Sequence, residues 1–278
     1  MDGAVDGDVL LVGCGNMGRA MLQGWLAAEL VRPECVYVVE PSAALRNLAG
    51  ALGVRTYAAA AALEPGLSPR IVVLAVKPQA ITDVLPSYRP HVRGCVVISI
   101  AAGIPVSALE AGLGEIAAIR AMPNTPAAIG KGSTVLFAND RTRPEQVEQA
   151  TMLLSACGAV HHVEQESLID AATAVSGSGP AYVFHFIECL ADAGQRLGLP
   201  PETALALARE TVAGAGALAM SSDTPPDELR RQVTSPGGTT EAALAVLMED
   251  SAMRTLLISA ANAAHRRAAD LAAPTTPA

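Results

Sequence analysis

The chain has 278 residues, enough for about two domains of roughly 150 residues each. Acidic residues outnumber basic ones 27 to 19, and the resulting net charge of −8 argues against a general nucleic-acid binder, which needs a basic face. The longest uncharged stretch, Ala171–Ile187, is shorter than the ~20 residues of a membrane span, and the acidic N-terminus is unlike a signal peptide. Five widely spaced cysteines favour reduced thiols in a cytoplasmic protein, with no disulfide framework and no metal site.

Residues 1–163 alternate short apolar runs with helical stretches. Strands that are apolar on both faces belong to a parallel sheet covered by helices on both sides, so this alternation predicts a doubly wound, Rossmann-type α/β domain. The predicted strands are Val9–Val12, Val36–Val39, Ile71–Val76, Val96–Ile100, Ile116–Ala121 and Ser133–Ala138. The predicted helices are Arg19–Leu30, Ala43–Leu52, Gln79–Leu85, Val106–Leu113 and Pro144–Ser155.

Residues 164–278 show no further strand and are rich in Ala and Leu. Gly and Pro stop signals separate the predicted helices, which cover residues 167–174, 180–197, 201–221, 226–233, 239–248 and 251–271. An all-helical segment of this length has many apolar faces to cover. We therefore predict a helical dimerisation domain over residues 164–278, with a frayed tail at Ala273–Ala278.

A glycine-rich turn follows the first predicted strand and opens a helix. The segment that starts at Val12 and continues Gly13-Cys14-Gly15-Asn16-Met17-Gly18 provides a tight turn, close backbone approach to a pyrophosphate and close helix–strand packing. The helix N-terminus adds free N–H groups and a partial positive charge. Glu40 ends the second strand, where a carboxylate suits ribose hydroxyls, and Ser42 follows it. Together they predict a dinucleotide site; the alternative is a tight structural turn.

Later turns at strand ends extend this prediction, because ligands of open α/β sheets bind beyond the carboxyl ends of the strands. The turn Ala75-Val76-Lys77-Pro78 and the small residues Ala101 and Ala102 are predicted to face the cofactor. The alternative interpretation of Lys77 is that it is a solvated charge at the start of a helix. Asn124 and Thr125 offer polar groups near the reacting end, with a rigid structural turn as the alternative.

A second glycine-rich segment lies in the helical half. Ser235-Pro236-Gly237-Gly238-Thr239-Thr240 leads into a predicted helix, and its glycines can adopt positive φ and turn N–H groups toward an anion. The segment therefore predicts a site for a substrate carboxylate. The alternative is that Ser235 and Thr239 only cap the helix.

These segments together resemble a known family. GCGNMG, AVKP, AAGI, RAMPNTP, AVSGSGPAYVF and SPGGTT occur here in the order and spacing of pyrroline-5-carboxylate reductases, over residues 9–265. The resemblance implies a Rossmann domain and a helical domain that interlocks in a homodimer or a ring of dimers. It also implies NAD(P)H-dependent reduction of 1-pyrroline-5-carboxylate to L-proline, the last step of proline biosynthesis, without a metal or a covalent intermediate.

The resemblance assigns roles to individual residues. Thr240 is the expected catalytic group, with its hydroxyl toward the ring nitrogen, and Glu166 is expected near the substrate amine unless it is a plain helix-start acid. Gln232 occupies a position where members of the family often carry an Asn that contacts the cofactor. Ala60 occupies a second position of this kind, and without the Asn side chain its contact with the adenosine end is absent. The substrate-binding set is Glu166, Ser235, Gly237, Gly238, Thr239 and Thr240.

Other function classes remain open on the sequence. A related imine reductase or a β-hydroxyacid dehydrogenase is one alternative, although the second class relies on a catalytic Lys or Asp and residues 165–278 contain no Lys. A non-catalytic nucleotide-sensing protein would keep the first glycine loop but would not need the second. We interpret His161, His162 and His185 as structural.

Overall fold

A computed structural model describes residues 5–272 of the chain, without the side chains of residues 271 and 272. The chain forms two compact units. One contains the residues up to Ser178 together with the segment that begins at Ala264, and the other is Gly179–Ala263. The predicted frayed tail, Ala273–Ala278, lies outside the described residues.

The first unit contains a single sheet. Its strands are β1 Val9–Val12, β2 Val36–Val39, β3 Arg55–Tyr57, β4 Ile71–Leu74, β5 Val96–Ser99, β6 Ala117–Met122, β7 Gly132–Ala138 and β8 Gly158–His162. They lie side by side in the order β3-β2-β1-β4-β5-β6-β7-β8, which contains the 3-2-1-4-5-6 order of a Rossmann fold. Neighbouring strands are parallel except β6 and β7. The predicted doubly wound α/β fold is confirmed.

Six α-helices accompany the sheet. They are α1 Asn16–Ala27, α2 Ala43–Gly50, α3 Pro78–Val84, α4 Val106–Leu113, α5 Pro144–Ser155 and α6 Leu168–Ala172. Shorter 3₁₀ turns cover Pro33–Cys35, Ala60–Ala62, Leu85–His91 and Thr125–Ile129, and a π-helical turn covers Thr173–Gly177. The predicted helices agree with these except at their ends, where α1 begins at Asn16 instead of Arg19.

The core lies on both faces of the sheet. Along β1, Val9 and Leu11 belong to one apolar cluster while Leu10 and Val12 belong to the other, as the two-residue period of a strand requires. Trp25 of α1 is fully buried in the first cluster, and its indole N–H donates to the carbonyl oxygen of Leu153 on α5 at 2.9 Å. Burial on both faces is the reason why the central strands are apolar at nearly every position.

Two features of the sheet differ from the prediction. Strand β7 runs antiparallel to β6, because the chain between Met122 and Gly132 is too short for the crossover that a parallel pair requires. Strands β3 and β8, which lie at the two edges of the sheet, were not predicted. Edge strands are covered on fewer sides, so their side chains are partly exposed and lack the continuous apolar run that marks the central strands.

The second unit is helical, with α7 Gly179–Arg196, α8 Pro201–Ser221, α9 Pro226–Gln232, α10 Thr239–Met248 and the first part of α11 Ala252–Ala272. Helices α7 and α8 pack closely, since a Cβ at Gly194 would lie 3.2 Å from the Ala204 Cβ. Many large apolar side chains remain exposed in the single chain, among them Phe184, Leu218, Met220 and Leu256. Such a surface is typical of a protein–protein interface. No helix among residues 5–272 is both long and apolar enough to cross a bilayer.

Candidate active site

The glycine loop joins β1 to α1 and depends on its glycines. Gly13 has φ +89°, and a Cβ there would lie 2.6 Å from the carbonyl oxygen of Ala75 at the end of β4. A Cβ at Gly18 would lie 2.5 Å from the Gly13 carbonyl oxygen. These two glycines therefore bring the loop against β4 and the helix against the loop, and side chains at either position would push them apart.

Gly15 differs from these two, because a Cβ there would meet nothing within 4 Å. It is the residue before the first turn of α1, and no side chain caps that helix. The first N–H groups of a helix have no partner inside it and attract anions. The open space at Gly15 and the uncapped helix together fit the pyrophosphate of a dinucleotide.

Glu40 follows β2 and is 8% exposed. One of its carboxylate oxygens accepts the Cys14 N–H and the other accepts the Ser42 N–H, each at 2.8 Å. The guanidinium of Arg46 donates to the Glu40 carbonyl oxygen at 2.7 Å. The carboxylate thus joins the glycine loop to the start of α2. Burial and the Glu40 charge raise the pKa of the Cys14 thiol to about 11, so Cys14 stays a neutral thiol at physiological pH.

A cavity of about 220 Å³ lies beside the loop, at the carboxyl ends of β1, β2 and β4. Three predicted cofactor residues, Val12, Gly13 and Val76, line it. Ala60, which replaces a cofactor-contacting Asn of the family, also lines it. The other lining residues were not predicted, and they are Val39, Pro41, Ala58, Ala59, Asp83, Val84, Ser87 and Tyr88. Most are apolar and scattered over four segments, so no local motif points to them. The cavity lies where the adenosine half of a dinucleotide would lie in this fold.

Helix α3 begins at Pro78, directly after Lys77. Pro78 occupies the first turn, and Lys77 precedes it in an extended conformation without capping the helix by its side chain. After β5, Ala101 is buried and Gly103 turns the chain with φ +72°. Ser42, whose hydroxyl accepts the Leu45 N–H at 3.5 Å, caps α2.

A buried arginine organises the region around β6. Arg120 donates to a Glu166 carboxylate oxygen at 2.9 Å and to Asp170 at 3.1 Å, and its side chain is only 5% exposed. The same Glu166 oxygen, Oε1, accepts the Val106 N–H at 2.7 Å, at the start of α4. Arg120 was not predicted as a site residue, although a charged residue inside an apolar strand is a signal that a buried partner exists.

Further predictions concern polar side chains of both units. The Asn124 amide donates to the Ser176 carbonyl at 3.0 Å and accepts the Ser133 N–H at 2.8 Å, which supports the structural-turn interpretation of this residue. His162 contacts the Thr151 hydroxyl at 3.1 Å. His185, on α7 in the second unit, has an exposed side chain that pairs with Glu188 at 3.2 Å.

The second glycine loop leads into α10. Gly237 has φ +71°, and the Gly238 N–H donates to the Ser235 carbonyl oxygen at 3.0 Å, which closes the turn. Gly238 is the N-cap of α10 and no side chain caps the helix, so Ser235 and Thr239 do not have the alternative role of capping residues. Thr240 is half-buried in the first turn.

One detail of this loop was not foreseen. The Gly237 N–H donates to the Glu241 carboxylate at 2.7 Å and is therefore already engaged. Glu241 lies four residues further, in the first turn of α10, and this spacing could have identified it. Gln232 is exposed at the end of α9. The N–H groups that α10 leaves for an anion are those of its own first turn.

Two family models match the chain. Residues 166–271 match the model described as pyrroline-5-carboxylate reductase dimerisation, and residues 8–103 match the model described as NADP oxidoreductase coenzyme F420-dependent. The first match covers the helices from α6 to α11, and the second covers the glycine loop and β1 to β5.

Curated relatives and solved structures extend the match over nearly the whole chain. A pyrroline-5-carboxylate reductase of Pseudomonas aeruginosa is 42% identical over 267 residues, which are 95% of this chain and 96% of the relative. That of Methanosarcina acetivorans is 37% identical, over 94% of this chain and 96% of the relative.

The structure of the Coxiella burnetii pyrroline-5-carboxylate reductase superimposes with a TM-score of 0.90 at 36% identity, covering 97% of this chain and 100% of that chain. The Plasmodium falciparum pyrroline carboxylate reductase, solved with NADP bound, gives 0.85 at 30% identity, over 98% and 100% of the two chains. With relatives this similar along its whole length, the chain belongs to the pyrroline-5-carboxylate reductase family.

Proposed function

We propose that this protein reduces 1-pyrroline-5-carboxylate to L-proline with NAD(P)H, as the final step of proline biosynthesis. The observation that carries the proposal is the second glycine loop, with an uncapped helix N-terminus behind it, in a chain whose first unit contains a dinucleotide loop. A nucleotide-sensing protein needs only the first of these two features.

The first unit would hold the cofactor, which supplies the hydride. The N–H groups at the start of α1 would bind its pyrophosphate, next to the open side of Gly15. The cavity beside the loop would take the adenine, and Glu40 would face the adenosine ribose. Lys77, Pro78, Ala101 and Ala102 would border the nicotinamide half, and Gln232 is a further proposed contact.

The start of α10 would bind the substrate. Its first-turn N–H groups and the helix dipole favour the carboxylate, which Ser235, Gly237, Gly238 and Thr239 would surround. The Thr240 hydroxyl would hydrogen-bond to the ring nitrogen, which gains a proton while the imine carbon gains the hydride. The chain would thus contribute orientation and proximity, and these effects account for much of the acceleration of such a step.

Glu166 is proposed to contact the substrate amine. Among residues 5–272, its Oε1 serves Arg120 and Val106, while no contact engages Oε2. Oε2 is therefore the atom for that role. The bonds to Arg120 and to the Val106 N–H hold the carboxylate in one orientation.

The proposed assembly is a homodimer through the helical residues 164–278, with a ring of dimers as the larger form. The match to a dimerisation model and the exposed apolar side chains of α7, α8 and α11 support it. A cytoplasmic location is also proposed, which the five free cysteines support.

The test is a steady-state assay of cofactor oxidation, followed by the loss of its near-ultraviolet absorbance. Purified protein should oxidise NAD(P)H with 1-pyrroline-5-carboxylate and form proline. Two controls represent the related enzyme classes: another cyclic imine, assayed with NAD(P)H, and a β-hydroxyacid, assayed with NAD(P)⁺ by the rise in the same absorbance. Higher kcat/KM with either control, or cofactor binding without turnover, would contradict the proposal.

A further inference from the structure

A second cavity of about 580 Å³ lies elsewhere in the first unit, and nothing described so far uses it. Its wall is formed by the segment before β5, the end of α4, the start of β6 and the N-terminus of α5. Strands β1, β4, β5 and β6 are parallel, and the glycine loop follows the carboxyl end of β1. This cavity lies at the amino ends of β5 and β6. The cofactor loop lies at the carboxyl ends of the parallel strands, so the two are at opposite ends of the strands.

The cavity is basic although the chain as a whole is acidic. Its charged lining consists of four arginines, Arg89, Arg93, Arg141 and Arg143, and one acid, Glu115. The chain carries a net charge of −8, so a concentration of arginines here is unlike its average surface. Arginine side chains present planar forks of N–H donors that match phosphate oxygens.

The four arginines are not equally engaged. Arg89 donates to the carbonyl oxygens of Ala111 and Gly112 at the end of α4, and thereby has a structural partner. Arg141 pairs with Glu115 at 2.8 Å.

The other two arginines remain available. Among the described residues, the Arg143 guanidinium has only a distant contact, with the exposed Glu145 at 3.9 Å. Arg93 has no ion pair or hydrogen bond with any residue of the described chain. Two guanidinium groups from different segments, Arg93 and Arg143, are thus left to bind a ligand.

A buried side chain supplies an independent observation. Gln146, on α5, is 3% exposed and lines the cavity, and its carbonyl oxygen accepts the Arg143 N–H at 3.0 Å. Its amide nitrogen has no partner among residues 5–272. Since no fully buried side-chain polar atom of those residues lacks a partner, this nitrogen has some access to solvent, and Gln146 lines the cavity. It is a donor held in place without an acceptor.

We propose that this cavity binds a small molecule that carries two or more phosphoryl groups. Arg93, Arg143 and the Gln146 amide nitrogen all donate and none accepts, and the N-terminus of the twelve-residue α5 adds a partial positive charge. A single carboxylate would satisfy only one of the two free guanidinium groups. The cavity is within the 300–1,000 Å³ that is usual for small-molecule sites and is much larger than one isolated ion requires. The inference does not depend on the proposed reaction.

The test uses inorganic pyrophosphate as the probe and isothermal titration calorimetry on the full chain. We expect binding that weakens as ionic strength rises, that persists with saturating NADP⁺, and that exceeds the binding of orthophosphate and of citrate. The double variant Arg93→Gln with Arg143→Gln should bind pyrophosphate at least about tenfold more weakly. The matched control is Arg32→Gln, which removes another exposed arginine paired with one glutamate and should change nothing.

Each other result would overturn the inference. Unchanged affinity in the double variant would show that pyrophosphate does not bind to these arginines. Displacement by NADP⁺ would place the bound pyrophosphate at the cofactor loop. Citrate binding as tightly as pyrophosphate would exclude a phosphoryl site, and no binding to the wild type would exclude the site altogether. Circular dichroism of the double variant checks its fold, and since both arginines are exposed we expect an unchanged melting curve.

Discussion

The choice between NADH and NADPH should depend on Glu40. A carboxylate after β2 can accept hydrogen bonds from the ribose hydroxyls of NADH and repels the 2′-phosphate of NADPH. The 2′-phosphate would escape this repulsion only if the Glu40 side chain turned outward to solvent. The structure opposes that movement, because both carboxylate oxygens accept hydrogen bonds at 2.8 Å, from the Cys14 and Ser42 N–H groups, and turning outward would break them. We therefore expect NADH to be used at least as well as NADPH.

The magnitude follows from the charges. Two unit charges about 4 Å apart repel by roughly 4 kcal/mol at an effective dielectric constant near 20. Salt and the Arg46 guanidinium, which is bonded to the Glu40 carbonyl oxygen, reduce this value. An effect of about 1.4–2.8 kcal/mol remains, or roughly ten- to a hundredfold in the ratio of kcat/KM for the two cofactors. Glu40→Ser should shift the ratio toward NADPH by that factor.

The assay measures kcat/KM with each cofactor at fixed substrate concentration. Glu40→Gln separates charge from shape, because it keeps the side-chain length, and it should give most of the shift. Both variants should also lower the free energy of unfolding by about 1–3 kcal/mol, since at least one buried N–H loses its acceptor. Glu34→Gln, at an exposed glutamate, is the control. A strong wild-type preference for NADPH that Glu40→Ser leaves unchanged would refute the reasoning.

Three other predictions concern separate parts of the molecule. Thr240→Ala should fold normally and lose about a hundredfold in kcat/KM, while Thr240→Ser should keep most of the wild-type kcat/KM. A wild-type kcat/KM in the alanine variant would exclude the proposed role of the hydroxyl. Arg120→Met should lower the free energy of unfolding in urea by about 3–5 kcal/mol because it leaves Glu166 and Asp170 without their buried cation; a loss under ~1 kcal/mol would contradict this. Because the pKa of Cys14 is raised to about 11, iodoacetamide at pH 8 should alkylate it about a hundredfold more slowly than an unperturbed thiol. Peptide mass spectrometry measures the rate, and fast labelling of Cys14 in the native protein would contradict its burial.

The local parts of the fold and of the site were predictable from the sequence. The central strands β1, β2, β4 and β5 are buried at every position and apolar at nearly all of them, because both faces of the sheet are covered, and a run of this kind is visible without coordinates. The glycine loop, the start of α3 at Pro78 and the start of α10 are likewise set by residues that lie next to each other in the chain. The domain boundary remains a prediction at residue 163, while the compact units divide after Ser178.

What the sequence by itself determined was therefore the class of fold, the two glycine loops and the order of the helices, since each depends on backbone preferences and apolar periodicity within one segment. Tertiary structure alone decided what the charged side chains contact: Glu40 with the Cys14 N–H, Glu166 with Arg120, and the arginines that meet at the amino ends of β5 and β6. Partners such as Arg120 and Glu166 lie 46 residues apart, and only the packing of the sheet brings them together. The antiparallel β7 and the edge strands β3 and β8 were decided in the same way, by neighbours that are not adjacent in sequence.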